Sequence, residues 1–445
     1  MANVWMLTYD AGLSTMRINL KTEGSEHLLL PNYEVSSLKV GILHIGIGAF
    51  HRAHQCACFD RLAGLGESGC GVFAVSLQSA DVHEALCQQD HRYTLTTLGS
   101  DEPIKVIGCI KASAGPEDLD EALEVFRTEE LKLVTLTVTE KAYQPGASMV
   151  EFLVEGLRRR RQAGLKLVVA SCDNLADNGR RLRNLIQESV GAETELQRWI
   201  ETEVQFPNGM VDSITPRVTK ELIEQVARKT GIRDEIPVQR EPFTQWVLEH
   251  CDLPFDLAQG GVEIVPDVAP YELLKLRVLN ASHSLLAYAG VLLGYQTVHE
   301  AISDAKLSVV VEKFMIAMVS TMSLPPDLDA TDYVSTTLKR FANPGVDHEL
   351  RQIAEDGTSK LRERVIPALS AGPDSALICL PIVFWIAFVR LKMAAGETLI
   401  DPLSSELSDE AATLTELLGV QNAQVLRHHE RLELKGIEDF LGEMV

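Results

Sequence analysis

The strongest constraint on this chain is a rhythm in its first half, where short, nearly continuous Val/Ile/Leu runs alternate with helix-length spacers. The runs are Val40–Ile45 (VGILHI), Gly71–Leu77 (GVFAVSL), Ile104–Ile110 (IKVIGCI), Leu133–Val138 (LVTLTV) and Leu165–Ala170 (LKLVVA). A strand that is apolar on both faces belongs in a sheet covered on both sides, and spacers of helix length make that sheet parallel. The sequence therefore predicts a doubly wound α/β domain over residues 1–235. From about Phe243 the apolar residues recur at helical spacing instead. Tyr271–Leu293, Ser308–Met322 and Cys379–Met393 are the main helical candidates, the last apolar nearly all round and so buried. The second expectation is a mostly α-helical domain over 236–445.

A chain of 445 residues has room for two or three domains. Its 63 Asp and Glu against 41 Lys and Arg give a formal charge of −22, which argues against a nucleic-acid partner. No run nears about 18 apolar residues without a charge or a turn former, so no membrane span is expected. The N-terminus lacks a basic stretch followed by an apolar block, so the cytoplasm is the expected location. Cys56, Cys58, Cys70, Cys87, Cys109, Cys172, Cys251 and Cys379 form no C-x-x-C pair. They read as reduced thiols, and no metal site is expected. The Arg158–Arg161 run reads as a solvated helix end.

The first strand runs directly into Gly46-Ile47-Gly48-Ala49-Phe50. Two glycines between a strand and a helix (here Arg52–Leu62) permit a tight turn and let backbone N–H groups approach a pyrophosphate. The third glycine of G-x-G-x-x-G is replaced by His51, so an ordinary strand–helix turn fits the residues equally well. After the second strand stands Leu77-Gln78-Ser79-Ala80-Asp81, with no acid before Asp81 to hold ribose hydroxyls; NADP therefore stays open beside NAD.

Lys275, Asn280 and His283 share one helical stretch. At about 100° per residue, with Lys275 at about 0°, Glu272 falls near about 60°, His283 near about 80° and Asn280 near about 140°. A buried polar network or a solvent-facing stripe would account for these residues. So would hydride chemistry at an alcohol. A lysine of lowered pKa can take the hydroxyl proton, an asparagine amide can donate to the alkoxide, and a histidine can hold the base or a substrate hydroxyl. Two further segments have the character of site loops: Ser171–Leu175, after the fifth strand, and the turn-rich Phe206–Pro216.

Five ordered segments resemble the polyol-specific long-chain dehydrogenase/reductase family, which includes mannitol 2-dehydrogenase and fructuronate reductase (mannonate oxidoreductase). They are HIGIGAFHRAHQ (44–55), VTLTVTEKAY (134–143), SCDNLADNG (171–179), FPNGMVDSITP (206–216) and VAPYELLKLRVLNASHS (268–284). The resemblance implies a Rossmann-type N-terminal domain and a helical C-terminal domain with the site between them. It also implies a metal-independent NAD(P)-dependent oxidoreductase that interconverts a linear polyol or aldonate with its ketose or keto-sugar acid. The implied general acid/base is Lys275, with Asn174 and Asn280 binding the oxyanion and His283 binding substrate. Val211 and Asp212 would line the substrate pocket, and Glu272 would pass the proton to solvent. The coenzyme would lie on Gly46, Ile47, Gly48, Ala49 and Phe50, with Arg52 close by. The implied assembly is a monomer or a small homo-oligomer.

The chain departs from the family pattern in places. Ser79 and Ala80 stand where NAD-preferring members carry acids, and Ser213 where an arginine often follows MVD. Arg340, Arg351 and Lys360 are the candidates for a cation that binds substrate. The TEKAY form of the fourth-strand motif leans the resemblance towards fructuronate. The rival readings are a non-catalytic dinucleotide- or sugar-binding sensor, which need not keep a base, and a nucleotide-using transferase.

Overall fold

In the computed structural model, residues 16–445 are described except 327, 347, 370–374 and 421–422. Residues 1–15, on which part of the N-terminal reading rests, lie outside them. The chain divides into two units, Met1–Val268 and Ala269–Val445.

The first unit is built on a six-stranded parallel sheet. Its strands are β1 (Val40–Ile45), β2 (Gly71–Val75), β3 (Ile110–Ala114), β4 (Leu133–Leu136), β5 (Leu167–Ser171) and β6 (Val204–Gln205), in the order β6-β5-β4-β1-β2-β3. Alternate residues feed two cores. Ile42, Val72, Ala74, Leu133 and Val168 enter one, with the helix Gln55–Gly64. Leu43, Ile45, Phe73, Val75, Val134 and Val169 enter the other, under the helices Ser148–Gln162 and Asn178–Val190. Period-two alternation across a sheet buried on both faces explains the near-continuous apolar runs.

Several expectations shift. The predicted strand Ile104–Ile110 is split. Ile104–Ile107 pairs antiparallel with Tyr93–Thr97 in a separate four-stranded sheet, and the third parallel strand is Ile110–Ala114. The break falls at Gly108, where a Cβ would lie 2.8 Å from Pro31 and the N–H donates to Asp60. The predicted helix Arg52–Leu62 is two helices, Ala49–Ala53 and Gln55–Gly64, interrupted at His54. Phe206–Pro216 contains a strand, Gly209–Asp212, paired antiparallel with Gln245–Glu249. Residues 236–268, assigned from sequence to the helical part, lie in the first unit. Their strands Val238–Arg240, Gln245–Glu249 and Glu263–Val265 pair with strands there or with each other, which moves the division from 235 to 268. In the run Arg158–Arg161, three residues pair with surface acids, but Arg160 is fully buried and donates to the carbonyls of Phe126, Thr128, Leu131 and Lys166. Helical periodicity turns one residue of that run inward.

The described secondary structure of the second unit is almost entirely helical. Its core centres on Ala281–Leu293 and Leu380–Ala394, with Tyr288, Phe314, Phe384 and Trp385 buried. Two helices here, Ala269–Leu293 and Ser375–Ala394, are long and apolar enough to cross a membrane by length and composition, and most of each is buried within the protein. The expected helix Tyr271–Leu293 is not uniform: Ala269–Leu274 is α, Lys275–Asn280 is a π-helical turn, and Ala281–Leu293 is α.

Candidate active site

The glycine turn sits where the strand order reverses, between β1 and β4, at the carboxyl end of the sheet. Ligands of open α/β sheets bind at this switch point. A cleft of about 530 Å³ opens there, lined by Gly46, Ile47, Gly48, Ser76, Gln78, Ser79, Thr137, Val138, Thr139 and Lys141 among others. Gly46 has φ +104, and a Cβ on it would lie 2.1 Å from the Thr137 carbonyl oxygen. Gly48 is exposed, and a Cβ there would meet nothing within 4 Å. The first glycine thus lets the strand turn against β4, and the second leaves open space beside a helix N-terminus.

Of the six residues predicted to hold coenzyme, Gly46, Ile47 and Gly48 line this cleft, whereas Ala49, Phe50 and Arg52 do not. Arg52 is 2% exposed, donates to the Ile236 carbonyl and lies 5.4 Å from the Tyr93 ring centroid. It supports the turn from within the protein and does not face a ligand. His44 lies beneath the same turn. Its Nε2 is 3.0 Å from the Gly46 carbonyl and 2.9 Å from Thr137 Oγ1, its Nδ1 is 2.7 Å from Thr135 Oγ1, and its ring stacks on His51 at 3.3 Å. Burial pulls the His44 pKa down to about 3, so the imidazole is neutral. On the cleft wall after β2, Gln78 and Ser79 are exposed and uncharged, and Asp81 begins the next helix.

The loop after β5 carries Asn174, which is exposed. Buried Asn178 holds this loop. Its Nδ2 donates to the carbonyls of Ser171 (3.2 Å), Asp173 (3.1 Å) and Gly209 (2.7 Å), and its Oδ1 accepts from Gly209 N. This stitch ties the Asn174 loop to the strand that carries Val211 and Asp212, both 6% exposed. Asp173, Asn178, Thr139 and His44 all stand inside the recognised motifs. Their roles were missed because the contacts that define them exist only in the folded chain.

In the second unit, the π-turn alters the predicted arrangement. Bonding from i to i+5 places residue i+5 near one turn above residue i. Lys275 and Asn280 are five apart, so the π-turn closes most of the angle that an α-helix would put between them. Arg364 Nη1 donates to the Asn280 carbonyl (3.0 Å) and to Ser284 Oγ (3.1 Å), pinning the exit from that turn. Glu272 lies on the α-turn before Lys275, and His283 on the α-turn after Asn280.

His283 packs 4.6 Å from the Phe341 ring and 5.3 Å from the His348 ring. Burial, and then the charges of His348, Arg364, Arg340 and Lys360, hold its pKa well below the usual imidazole value. Lys360 is itself lowered, by burial first and then by Arg364. Two of the three predicted substrate cations, Arg340 and Lys360, therefore neighbour His283 electrostatically. Arg351 is exposed and acts on Glu397 instead. Among the described residues, no group of three or more His, Cys, Asp or Glu is placed to hold a metal ion, and all eight cysteines are free thiols.

Residues 40–256 match the mannitol dehydrogenase Rossmann domain, and residues 267–436 match the mannitol dehydrogenase C-terminal domain. The chain is 33% identical to a mannitol 2-dehydrogenase of Phaeosphaeria nodorum, over 89% of this chain and 78% of that protein. It is 32% identical to the D-mannonate oxidoreductase of Escherichia coli, over 84% and 86%. Among solved structures it is similar to the ternary complex of Pseudomonas fluorescens mannitol 2-dehydrogenase with NAD and D-mannitol. There the identity is 29% and the TM-score 0.79, covering 96% of this chain and 99% of that one.

Proposed function

The chain belongs to the mannitol dehydrogenase family, and on that premise we propose that it reduces a keto-sugar acid of the fructuronate type to the aldonate, and catalyses the reverse oxidation. At the coarser level it is an NAD-linked oxidoreductase acting on the CH–OH group of polyols or sugar acids. The cleft at the glycine turn fits a dinucleotide: Gly46 permits the turn, and Gly48 leaves open space beside the start of the helix Ala49–Ala53. When bound, the nicotinamide supplies or accepts the hydride.

The remaining chemistry we assign to the side chains that the family resemblance names. Lys275 Nζ donates a proton to the carbonyl oxygen in reduction and takes it back in oxidation. Asn280, on the same turn, and Asn174 donate hydrogen bonds to that oxygen as it gains negative charge. Neutral His283 hydrogen-bonds a substrate hydroxyl, Val211 and Asp212 line the substrate, and Glu272 relays the proton of Lys275 to solvent. The observation that carries this reading is the π-turn, which draws Lys275 and Asn280 together. The sugar-acid preference is supported by the cations Arg340, Lys360 and Arg364 near His283, which suit a carboxylate. Gln78 and Ser79 neither demand a free 2′-hydroxyl nor repel a 2′-phosphate, so we expect both NADH and NADPH to serve. We place the protein in the cytoplasm, as a monomer or a small homo-oligomer.

Lys275→Ala tests the assignment. General acid–base catalysis contributes roughly 10²–10⁴-fold, so turnover should fall by about 10³-fold while the Kd for NADH stays within about twofold. A variant that keeps near-wild-type kcat would overturn the role of Lys275.

A further inference from the structure

The cleft wall at the end of β4 holds a residue in an uncommon backbone conformation. Thr139, which has a side chain, has φ +84 and ψ 151. Such a conformation persists only where its surroundings enforce it, and it is concentrated at functional sites. The enforcing group is the Asp173 carboxylate. Its Oδ1 accepts from Val138 N (2.7 Å) and Thr139 N (3.0 Å), and its Oδ2 accepts from the Tyr143 hydroxyl (2.8 Å). Tyr143 Oη also lies 2.6 Å from Ser171 Oγ, which accepts from Asp173 N (3.2 Å). Asp173 is 8% exposed, so water does not compete for these contacts. Val138, Thr139, Lys141 and Ala142, the segment this carboxylate ties down, all line the cleft.

We infer that Asp173 is a positioning residue for the coenzyme: its carboxylate holds the Val138–Tyr143 turn in the cleft-forming shape that a dinucleotide requires. It touches neither substrate nor coenzyme chemistry and acts through the backbone of Val138 and Thr139 and the ring of Tyr143. The inference rests on the coenzyme reading of the cleft. Without the carboxylate, Thr139 relaxes to an ordinary φ, and the binding-competent wall becomes a minor conformer. Apparent affinity falls by the fraction that remains competent. The loop backbone of Asn174 is held separately, by Asn178, so the loss falls on coenzyme binding and not on the chemical step.

The test is titration of the full-length wild type, Asp173→Ala and Tyr143→Phe with NADH, followed by fluorescence, together with steady-state kinetics using fructuronate. Asp173→Ala, which removes the acceptor of both backbone N–H groups, should raise both the Kd and the KM for NADH about tenfold, with kcat at saturating NADH within about threefold. Tyr143→Phe, which deletes one of the three contacts, should raise Kd about two- to threefold, and it serves if the aspartate variant does not fold. A structural role alone would lower Tm and leave the Kd of the folded fraction unchanged. An unchanged Kd in the folded variants, beside a wild type that binds NADH, would overturn this inference and spare the coenzyme reading. A wild type that binds no dinucleotide would overturn both.

Discussion

Gly46 and Gly48 stand two residues apart, and the structure assigns them different work. At Gly46 the backbone has φ +104, and a methyl group would sit 2.1 Å from the Thr137 carbonyl oxygen and 2.9 Å from its carbon. Gly46→Ala must therefore carry an unfavourable backbone conformation, worth about 1–3 kcal/mol, and also push β4 away, at a further cost of about 1–3 kcal/mol. The sum, about 2–6 kcal/mol, corresponds to a fall in Tm of roughly 10 °C for a domain of this size. At Gly48 the backbone is ordinary, with φ −68 and ψ 178, and a methyl group would meet no atom within 4 Å. Gly48→Ala should change stability by no more than about 0.5 kcal/mol. Its methyl would project into the space assigned to the dinucleotide, so the Kd for NADH should rise tenfold or more. Thermal unfolding by circular dichroism and fluorescence titration with NADH measure the two effects separately. The reasoning is refuted if Gly48→Ala melts as early as Gly46→Ala, or if it binds NADH as tightly as the wild type.

Other outcomes follow from the same geometry. Arg160→Met strands four carbonyls that now share one buried guanidinium; it should cost about 3 kcal/mol or more in denaturant unfolding, without changing the KM of the folded enzyme. His44 titrates at about 3 in the fold, against about 6.5 when unfolded. Between those values the unfolded chain binds the extra proton, so stability falls as pH drops, by about 1.4 kcal/mol per pH unit for this group. His44→Gln should flatten that slope by about one proton in urea titrations between pH 6 and 4. Ser79→Asp places a carboxylate at the ribose end of the cleft, and the ratio of kcat/KM for NADH over NADPH should rise at least tenfold; an unchanged ratio would mean that the 2′-position lies elsewhere.

Much of the fold was legible because burial on both faces of a parallel sheet writes itself into continuous apolar runs. VGILHI and LVTLTV each contain a strand of the sheet, and LKLVVA contains all but the last residue of another. IKVIGCI misled because Gly108 divides one apolar run between two sheets, and apolarity alone does not identify a strand's partner. The strands of residues 236–268 were hidden for a related reason: short strands in small sheets leave a weaker pattern than helical spacing. The helix that carries Lys275 was found, but its π-turn was not, since a backbone with i to i+5 bonding has no compositional signature. The residues that act on distant backbone groups were also invisible. Asn178 grips Gly209, and Asp173 grips Thr139, through contacts that only the folded chain makes.

The central claim is that this chain carries out hydride transfer between a nicotinamide coenzyme and a keto-sugar acid with Lys275 as its acid. Its most direct test follows the absorbance of NADH and of NADPH with purified protein and fructuronate, tagaturonate, fructose or xylulose, in the presence of a chelator. The account predicts oxidation of either coenzyme with a keto-sugar acid, undiminished by chelation and faster than with the uncharged ketoses. Coenzyme that binds but is never oxidised with any of the four, or turnover that the chelator abolishes, would contradict it.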